Sequence, residues 1–309
     1  MQIVQSKSEW LDKNNLSVEE VIEKCGRVCY KSEDKITENS HKQFIKGLIK
    51  SGHESVLEHS AIGVTFNFEN KVLDYDVVLH LIRLQKANSI FLRFYQDEDD
   101  LSISLIMNVR AWRNFFKHII NCNFAIGTQL AVIYKLTEVL YNYSNILFED
   151  IYNETKLFKT NITNEITTIP QEFTNKHYKT FHLICDRATS HQIVRHRKLS
   201  FSQESMRYCN YSKDKFDNNI QVIKPVGIET LSQYNLWQQS CKSAEDYYFN
   251  LIREGCKPEE ARSVLPQCTK TEMYISGFTD DLEYMLNLRT KDDVQKDLRD
   301  LMINLKKGF

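Results

Sequence analysis

The sequence is poor in residues that break or staple a chain. Of 309 residues only four are Pro and nine are Gly, which excludes collagen-like repeats and Pro/Gly-rich disorder. Charge of one sign is also missing. Forty Lys+Arg against 41 Asp+Glu leave a formal net charge of -1, without the field that drives sequence-independent binding to nucleic acid or anionic membranes. No nucleic-acid or membrane partner is expected, and any basic site must be local. No run approaches the roughly 18 consecutive apolar residues that span a bilayer. The first ten residues, MQIVQSKSEW, have no signal-peptide apolar region, so a soluble, cytoplasmic protein is expected. The eight cysteines, Cys25, Cys29, Cys122, Cys185, Cys209, Cys241, Cys256 and Cys268, include no CxxC pair. A chain this long needs no disulfide staples, so they are read as packed free thiols.

What is present suffices for a real core. Hydrophobic residues make up 42% and charged residues 26%, ordinary globular usage, and the length allows about two domains of roughly 150 residues or one elaborated domain. Helix and strand signals come in mixed order. Ser17 and Glu20 form a capping box ahead of Val18, Val21, Ile22, Cys25, Val28 and Cys29, the spacing of an amphipathic helix. A helix around Phe44 to Ile49 should stop at Gly52. Ile62, Val64, Phe66 and Phe68 then alternate as one face of a strand. From about 70 to 176 the pattern is mostly helical, interrupted by the acidic loop Gln96 to Asp100, and is read as an insertion in a compact α+β framework.

The framework resumes with a strand over Thr180 to Cys185, and Asp186 offers a cap for a helix running into Arg195-His196-Arg197. Leu231, Tyr234, Trp237, Cys241, Ala244, Tyr248 and Leu251 fall in the register of a long helix. Pro258 suits a first helical position, with Pro266 ending that run. The segment from Asp280 reads as helical to near the C-terminus.

Three constellations could carry chemistry. Gln192, Arg195 and His196 would share a helix face, and Arg197, Ser200, Ser202, Gln203, Glu204, Ser205 and Arg207 follow. Guanidinium forks with hydroxyl donors suit a phosphate, and the bland reading is a solvated basic helix end. His53, Glu54, Ser55, Glu58 and His59 lie between helix and strand. Two His six apart do not share a helix face, so no metal is expected there, and the loop suits hydrogen bonds to a cofactor or a set of satisfied polar groups. Leu282, Met285, Leu286 and Arg289 fall at i, i+3, i+4 and i+7, which aims Arg289 inward, where it must bind a ligand, pair with an acid or snorkel outward. Arg262 sits similarly beside Val264 and Leu265.

RHRKLSFSQESMRY, taken with SGHESVLEH and EEARSVLP, resembles the flavin-dependent thymidylate synthases (ThyX) over about residues 17 to 69 and 177 to 309. The resemblance implies an α+β ThyX-like fold of mixed helices around an antiparallel sheet, one domain over 1–309 with a mainly helical insertion at about 70–176. It implies an FAD-dependent methyltransferase that reductively methylates dUMP to dTMP with methylenetetrahydrofolate and NADPH. His53, Ser55, Glu58, Arg195, His196 and Arg197 would then hold FAD. Gln192, Arg195, Gln203, Glu204, Ser205, Arg207, Arg262 and Arg289 would bind dUMP, with Arg289 catalytic. A homotetramer with active sites between subunits is implied as well.

Two positions depart from the family pattern. An Asn-x-Arg run near 278–280 is replaced by Phe278-Thr279-Asp280, and a His soon after the last Arg by Asp293 and Gln295. Both family positions touch the flavin. A similar run, Asn108-Val-Arg-Ala-Trp-Arg113, occurs within 70–176. The departures leave room for a divergent relative that binds nucleotide with lost or altered flavin chemistry. A more distant alternative is a nucleic-acid-binding or scaffold protein using the basic segment as a patch.

Overall fold

The computed structural model describes residues 1–68, 78, 83, 91–96, 102–122, 128–159 and 166–309. The chain divides into two compact units, Met1–Asp12, Lys24–Ile36 and Thr180–Phe309 forming a carboxy-terminal unit, and Lys13–Glu23 with Thr37–Lys179 forming a central unit. Asp97 to Asp100 of the acidic loop lie outside the described residues.

The carboxy-terminal unit is an α+β body. A short parallel pair joins β1 (Gln2–Val4) to Gln221–Ile223. Beside it stands a four-stranded sheet. It contains β2 (Lys7–Trp10), Tyr178–Asp186, Ser200–Gln203 and Lys270–Phe278. Their spatial order is Lys7–Trp10, Tyr178–Asp186, Lys270–Phe278, Ser200–Gln203. Two helices, Thr279–Arg289 and Lys296–Lys307, bury Leu282, Met285, Leu286, Leu298, Leu301, Met302 and Leu305 against Phe181, Leu183, Met273 and Ile275 of the sheet. The continuous C-terminal helix expected from sequence is thus two helices, broken through the polar stretch Thr290 to Gln295. A second cluster forms under Leu231–Arg253, whose Thr230 and Gln233 make a capping box and whose Cys241 and Tyr248 are buried. Its first residue, Leu231, is exposed.

The central unit is also α+β. The capping box expected at its helix α1 (Val18–Arg27) is present: Ser17 N donates to Glu20 Oε2 at 2.8 Å and Glu20 N to Ser17 Oγ at 3.2 Å. Helix α2 (Ser40–Ser51) ends where Gly52 adopts a left-handed φ of 71°, which glycine reaches without a Cβ penalty. A 3-10 turn, Glu54–His59, leads into β3 (Ala61–Asn67). The sheet is completed by β4 (Leu92–Gln96), β5 (Ser102–Asn108) and β6 (Ile166–Thr168) in the order β4, β5, β3, β6, with every pairing antiparallel. The simple alternation expected for β3 is incomplete, because Ala61 and Gly63 are buried along with Ile62 and Val64. A Cβ on Gly63 would stand 2.8 Å from Ile169 Cδ1 and 3.1 Å from Thr174 Oγ1, so both faces are covered there. Helices α3 (Val109–Cys122), α4 (Thr128–Tyr143) and α5 (Asn145–Thr155) bury Trp112, Phe116, Leu136, Leu140, Leu147 and Phe148 against this sheet. The stretch at about 70–176 therefore contributes strands to the sheet as well as helices.

Naming the remaining elements in chain order gives α6 (Gln171–His177), β7 (Tyr178–Asp186), α7 (Arg187–Ile193), β8 (Ser200–Gln203), β9 (Gln221–Ile223), α8 (Leu231–Arg253), α9 (Pro258–Ala261), β10 (Lys270–Phe278), α10 (Thr279–Arg289) and α11 (Lys296–Lys307). Among the described residues no helix is long and apolar enough to cross a membrane. Cys25, Cys29, Cys185, Cys209, Cys241, Cys256 and Cys268 are free thiols.

Candidate functional site

In the carboxy-terminal unit the site is built at the end of α7. Asp186 fixes the start of that helix, as its sequence position promised: Oδ1 accepts from Thr189 N at 2.6 Å and Oδ2 from Thr189 Oγ1 at 3.0 Å. The helix stops at Ile193, and Arg195, His196 and Arg197 fall in the turn before β8. Arg195 and Arg197 are exposed, whereas His196 is half-buried.

Arg289 is half-buried and pairs with no acid among the described residues. Its Nε donates to His196 Nε2 at 2.9 Å and its Nη2 to the Gln192 carbonyl at 2.8 Å. Burial first, and then the Arg289 charge, pushes the His196 pKa down to about 4. The ring is therefore neutral near pH 7, with Nε2 as the acceptor. The Gln192 side chain donates to Gln295 Oε1 at 2.6 Å. Gln192, His196, Arg289 and Gln295 thus form one polar cluster, and Gln295 stands in it at one of the positions that departs from the family pattern.

Consecutive residues from the end of β8 diverge. Gln203 donates through Nε2 to Ser190 Oγ at 3.0 Å and Thr271 Oγ1 at 3.1 Å. Glu204 is buried, accepting from Tyr211 at 2.9 Å and Lys270 at 3.2 Å. It lines a cavity of about 440 Å3 with Lys31, Glu33, Tyr211, Lys270 and Glu272. In that cavity Lys270 also pairs with Glu272, and Lys31 meets Glu272 at 3.0 Å. Burial would raise the Glu272 pKa, yet His182, Lys270 and Lys31 together hold it well below the usual carboxylate range. Ser205 Oγ accepts from Arg207 N at 3.4 Å, and its own N donates to the Cys29 carbonyl at 3.0 Å. No side-chain base adjoins the hydroxyl among the described residues. Arg207 and Arg262 converge on Glu259, the first at Oε2 (2.7 Å) and the second at the carbonyl (3.2 Å). Both arginines are exposed.

The central unit holds the other predicted residues. His53 and Ser55 are exposed, while Glu58 is half-buried and pairs with Arg110 Nη1 at 2.5 Å. Glu54 accepts from Lys117 at 2.7 Å and from Arg113 at 3.4 Å. Burial would raise its pKa, and these two cations lower it below the ordinary value. Arg113, fully buried, makes a two-pronged pair with Asp150 at 2.9 and 2.6 Å. His59 is buried, and desolvation with the Lys13 charge beside it lowers its pKa to about 3.

Sequence reasoning did not single out Arg187, whose Nη1 donates to the Glu204 carbonyl at 3.3 Å and to Thr271 Oγ1 at 3.2 Å. Nor did it assign a role to Asn108 or Arg110, although their run was visible. Asn108 is wholly buried; its Oδ1 caps Ala111 N at 2.7 Å, and its Nδ2 has no hydrogen-bond partner among the described residues.

Two antiparallel four-stranded sheets flanked by helices define an α+β protein. The sequence matches the Thymidylate synthase complementing protein family over residues 12–86 and 130–309, and the chain belongs to that family. It is 32% identical to the flavin-dependent thymidylate synthase of Geobacter sulfurreducens over 125 residues, 40% of this chain and 53% of that protein. It is 29% identical to the flavin-dependent thymidylate synthase of Thermococcus onnurineus over 117 residues, 38% of this chain and 47% of the relative. The chain spans about half the length of the curated relatives it matches. A UMP/dUMP methylase, PolB from Streptomyces cacaoi bound with 5-Br dUMP, aligns over 100% of this chain and 91% of its own with a TM-score of 0.42 and 15% identity.

Proposed function

We propose that the chain is a flavin-dependent thymidylate synthase that reductively methylates dUMP to dTMP, with methylenetetrahydrofolate giving the carbon and NADPH the reducing equivalents. The observation that carries this reading is the cluster of Gln192, His196 and Arg289, drawn from segments 93 to 97 residues apart in a chain of that family. FAD, when bound, supplies the redox chemistry. His53, Ser55 and Glu58, with Arg195, His196 and Arg197, would hold it, in a cytoplasmic homotetramer whose active sites lie between subunits. The exposed guanidinium groups of Arg195 and Arg197 are donors suited to a large anionic cofactor.

For dUMP, Gln192, Arg195, Gln203, Ser205, Arg207 and Arg262 would position the nucleotide, Arg207 and Arg262 as the exposed cations. Glu204 would act through Lys270 and Tyr211, which occupy its carboxylate. Arg289, held in place by a neutral ring and a carbonyl, would stabilise negative charge that develops on the pyrimidine. The test is dTMP formation from dUMP, methylenetetrahydrofolate and NADPH with added FAD, alongside the visible spectrum. A yellow protein that NADPH bleaches and that forms dTMP supports the proposal, and a protein that takes up no FAD and forms none defeats it.

One observation favours the second reading, a relative that binds nucleotide without flavin chemistry. Phe278 is buried at the end of β10 where the family pattern has Asn. Retained dUMP binding without flavin uptake would establish that alternative.

A further inference from the structure

In the carboxy-terminal unit two thiols meet away from the polar cluster of Arg289. Cys241, in the middle of α8, and Cys268, two residues before β10, place their sulfurs 3.5 Å apart, in hydrogen-bond contact. A disulfide is about 2.0 Å long, so the two sulfurs need approach by only about 1.5 Å to be joined.

Each sulfur is held from its own side. Helix α8 starts at the Thr230–Gln233 capping box and buries Cys241 to 2% exposure. The segment of Cys268 is tied down at three successive carbonyls. Gln267 accepts from Ala188 N at 3.2 Å, Cys268 from Ile223 N at 2.9 Å and Thr269 from Arg187 N at 3.1 Å. Two groups fixed in contact meet at an effective concentration far above that of any dissolved thiol.

The two thiols are not equivalent. Cys241 sits in the apolar cluster with Val222 and Tyr248, whereas Cys268 is half-buried beside the exposed Gln267. The hydrogen bond from Cys241 holds the Cys268 pKa down to about 7 against the opposing effect of burial, with the Trp237 indole contributing. A large fraction of Cys268 is therefore thiolate near pH 7, the form that reacts. Burial instead raises Cys29, Cys185 and Cys209, the last to about 12, so these thiols stay protonated. An accessible thiolate backed by a buried partner is the arrangement of an attacking and a resolving cysteine.

We propose that Cys241 and Cys268 form a redox modification site, which closes reversibly to a disulfide when the chain meets a low-molecular-weight disulfide. The Cys268 thiolate attacks one sulfur of that oxidant. The oxidant's S–S bond breaks, one half leaves as a thiolate, and the other half stays on Cys268 as a mixed disulfide. Cys241 then gives its proton to a thiolate that has left and attacks Cys268 Sγ, expelling the second half, which takes a proton from solvent. In sum the two protein thiols lose two electrons and two protons, and the oxidant gains them as two free thiols. The cross-link ties α8 to the segment that runs from Arg262 into β10 and closes a loop over residues 241 to 268. It needs neither flavin nor nucleotide, so it stands apart from the function proposed above.

The test uses the full chain without flavin or nucleotide, at pH 8, with glutathione disulfide as the oxidant. Remaining thiols are alkylated, and the cysteine peptides are mapped by mass spectrometry. The wild type is expected to yield the Cys241–Cys268 cross-linked peptide, to lose it on adding dithiothreitol, and to melt roughly 5 °C higher while the loop is closed. Cys241→Ser should stop at a glutathione adduct on Cys268, and Cys268→Ser should leave Cys241 unmodified. Wild-type protein in which both thiols are recovered alkylated overturns the proposal. So does a glutathione adduct on Cys268 that never closes, or a cross-link that forms only in urea, where the folded contact is lost.

Discussion

Arg289 Nε donates to His196 Nε2 at 2.9 Å, so the arginine needs a neutral imidazole to hold its position. The His196 pKa, lowered to about 4, falls below the ordinary value near 6.5. Between those values the unfolded chain binds a proton that the folded chain refuses, so stability falls as pH drops from about 6.5 toward 4 and is unaffected above 6.5. His59, lowered to about 3, adds to the same acid limb. Denaturation midpoints measured from pH 7.5 to 4.5 should slope downward for wild type, and His196→Gln should flatten the slope. An unchanged slope in that variant would show the ring protonates freely.

Ser205 invites reading as a nucleophile because it precedes an arginine in a polar loop. Activation requires a neighbouring base oriented by a third group, and its hydroxyl oxygen instead accepts from Arg207 N. Ser205→Ala is expected to raise the dUMP constant while turnover persists. A covalent dUMP adduct on Ser205, trapped and located by mass spectrometry, would contradict this.

Glu204 and Arg207 should separate stability from binding. Glu204 is 2% exposed, between Tyr211 and Lys270. Replacing it by Leu leaves the Tyr211 hydroxyl unpaired and Lys270 with Glu272 alone, a change that typically costs about 3–5 kcal/mol when one member of a buried pair is removed. Arg207→Gln removes an exposed partner of Glu259 and should leave the melt unchanged while weakening dUMP. Urea denaturation of both variants decides it, and equal midpoints would show that the buried network contributes nothing net.

Legibility in the sequence followed the range of the interaction. The Ser17–Glu20 box, the Gly52 stop and the Asp186 cap are completed within a few residues, and each was readable from its own neighbourhood. The inward aim of Arg289 was readable from helix phase, but its partners lie 93 and 97 residues away and no local pattern names them. Gln203 and Glu204 face opposite ways, as the two-residue strand period dictates, so one short motif carries a side chain bonded to Ser190 and Thr271 and a carboxylate bonded to Tyr211 and Lys270. The strands within 70–176 are not visible in that stretch alone, because β5 and β6 pair with β3, outside it, and β4 pairs with β5.

Arg289 should be the most demanding position in the chain. It makes two fixed hydrogen bonds through different nitrogens, Nε to His196 and Nη2 to the Gln192 carbonyl. Those two bonds fix the plane of the guanidinium, and the remaining donors are then presented without reorganisation. Lysine has one nitrogen on a flexible stem and can reach at most one of the two partners in that geometry. A preorganised donor of this kind typically stabilises a transition state by about 3–4 kcal/mol, a hundred- to a thousandfold in turnover. A contact made equally to substrate and transition state would raise the dUMP constant and leave turnover alone. Arg289→Lys and Arg289→Ala are therefore both expected to lose turnover by that factor, with dUMP constants shifted less and melting temperatures within a few degrees of wild type. Near-normal turnover in Arg289→Lys would show that charge alone suffices. A large fall in melting temperature in both variants would show that the bonds to His196 and Gln192 serve the fold.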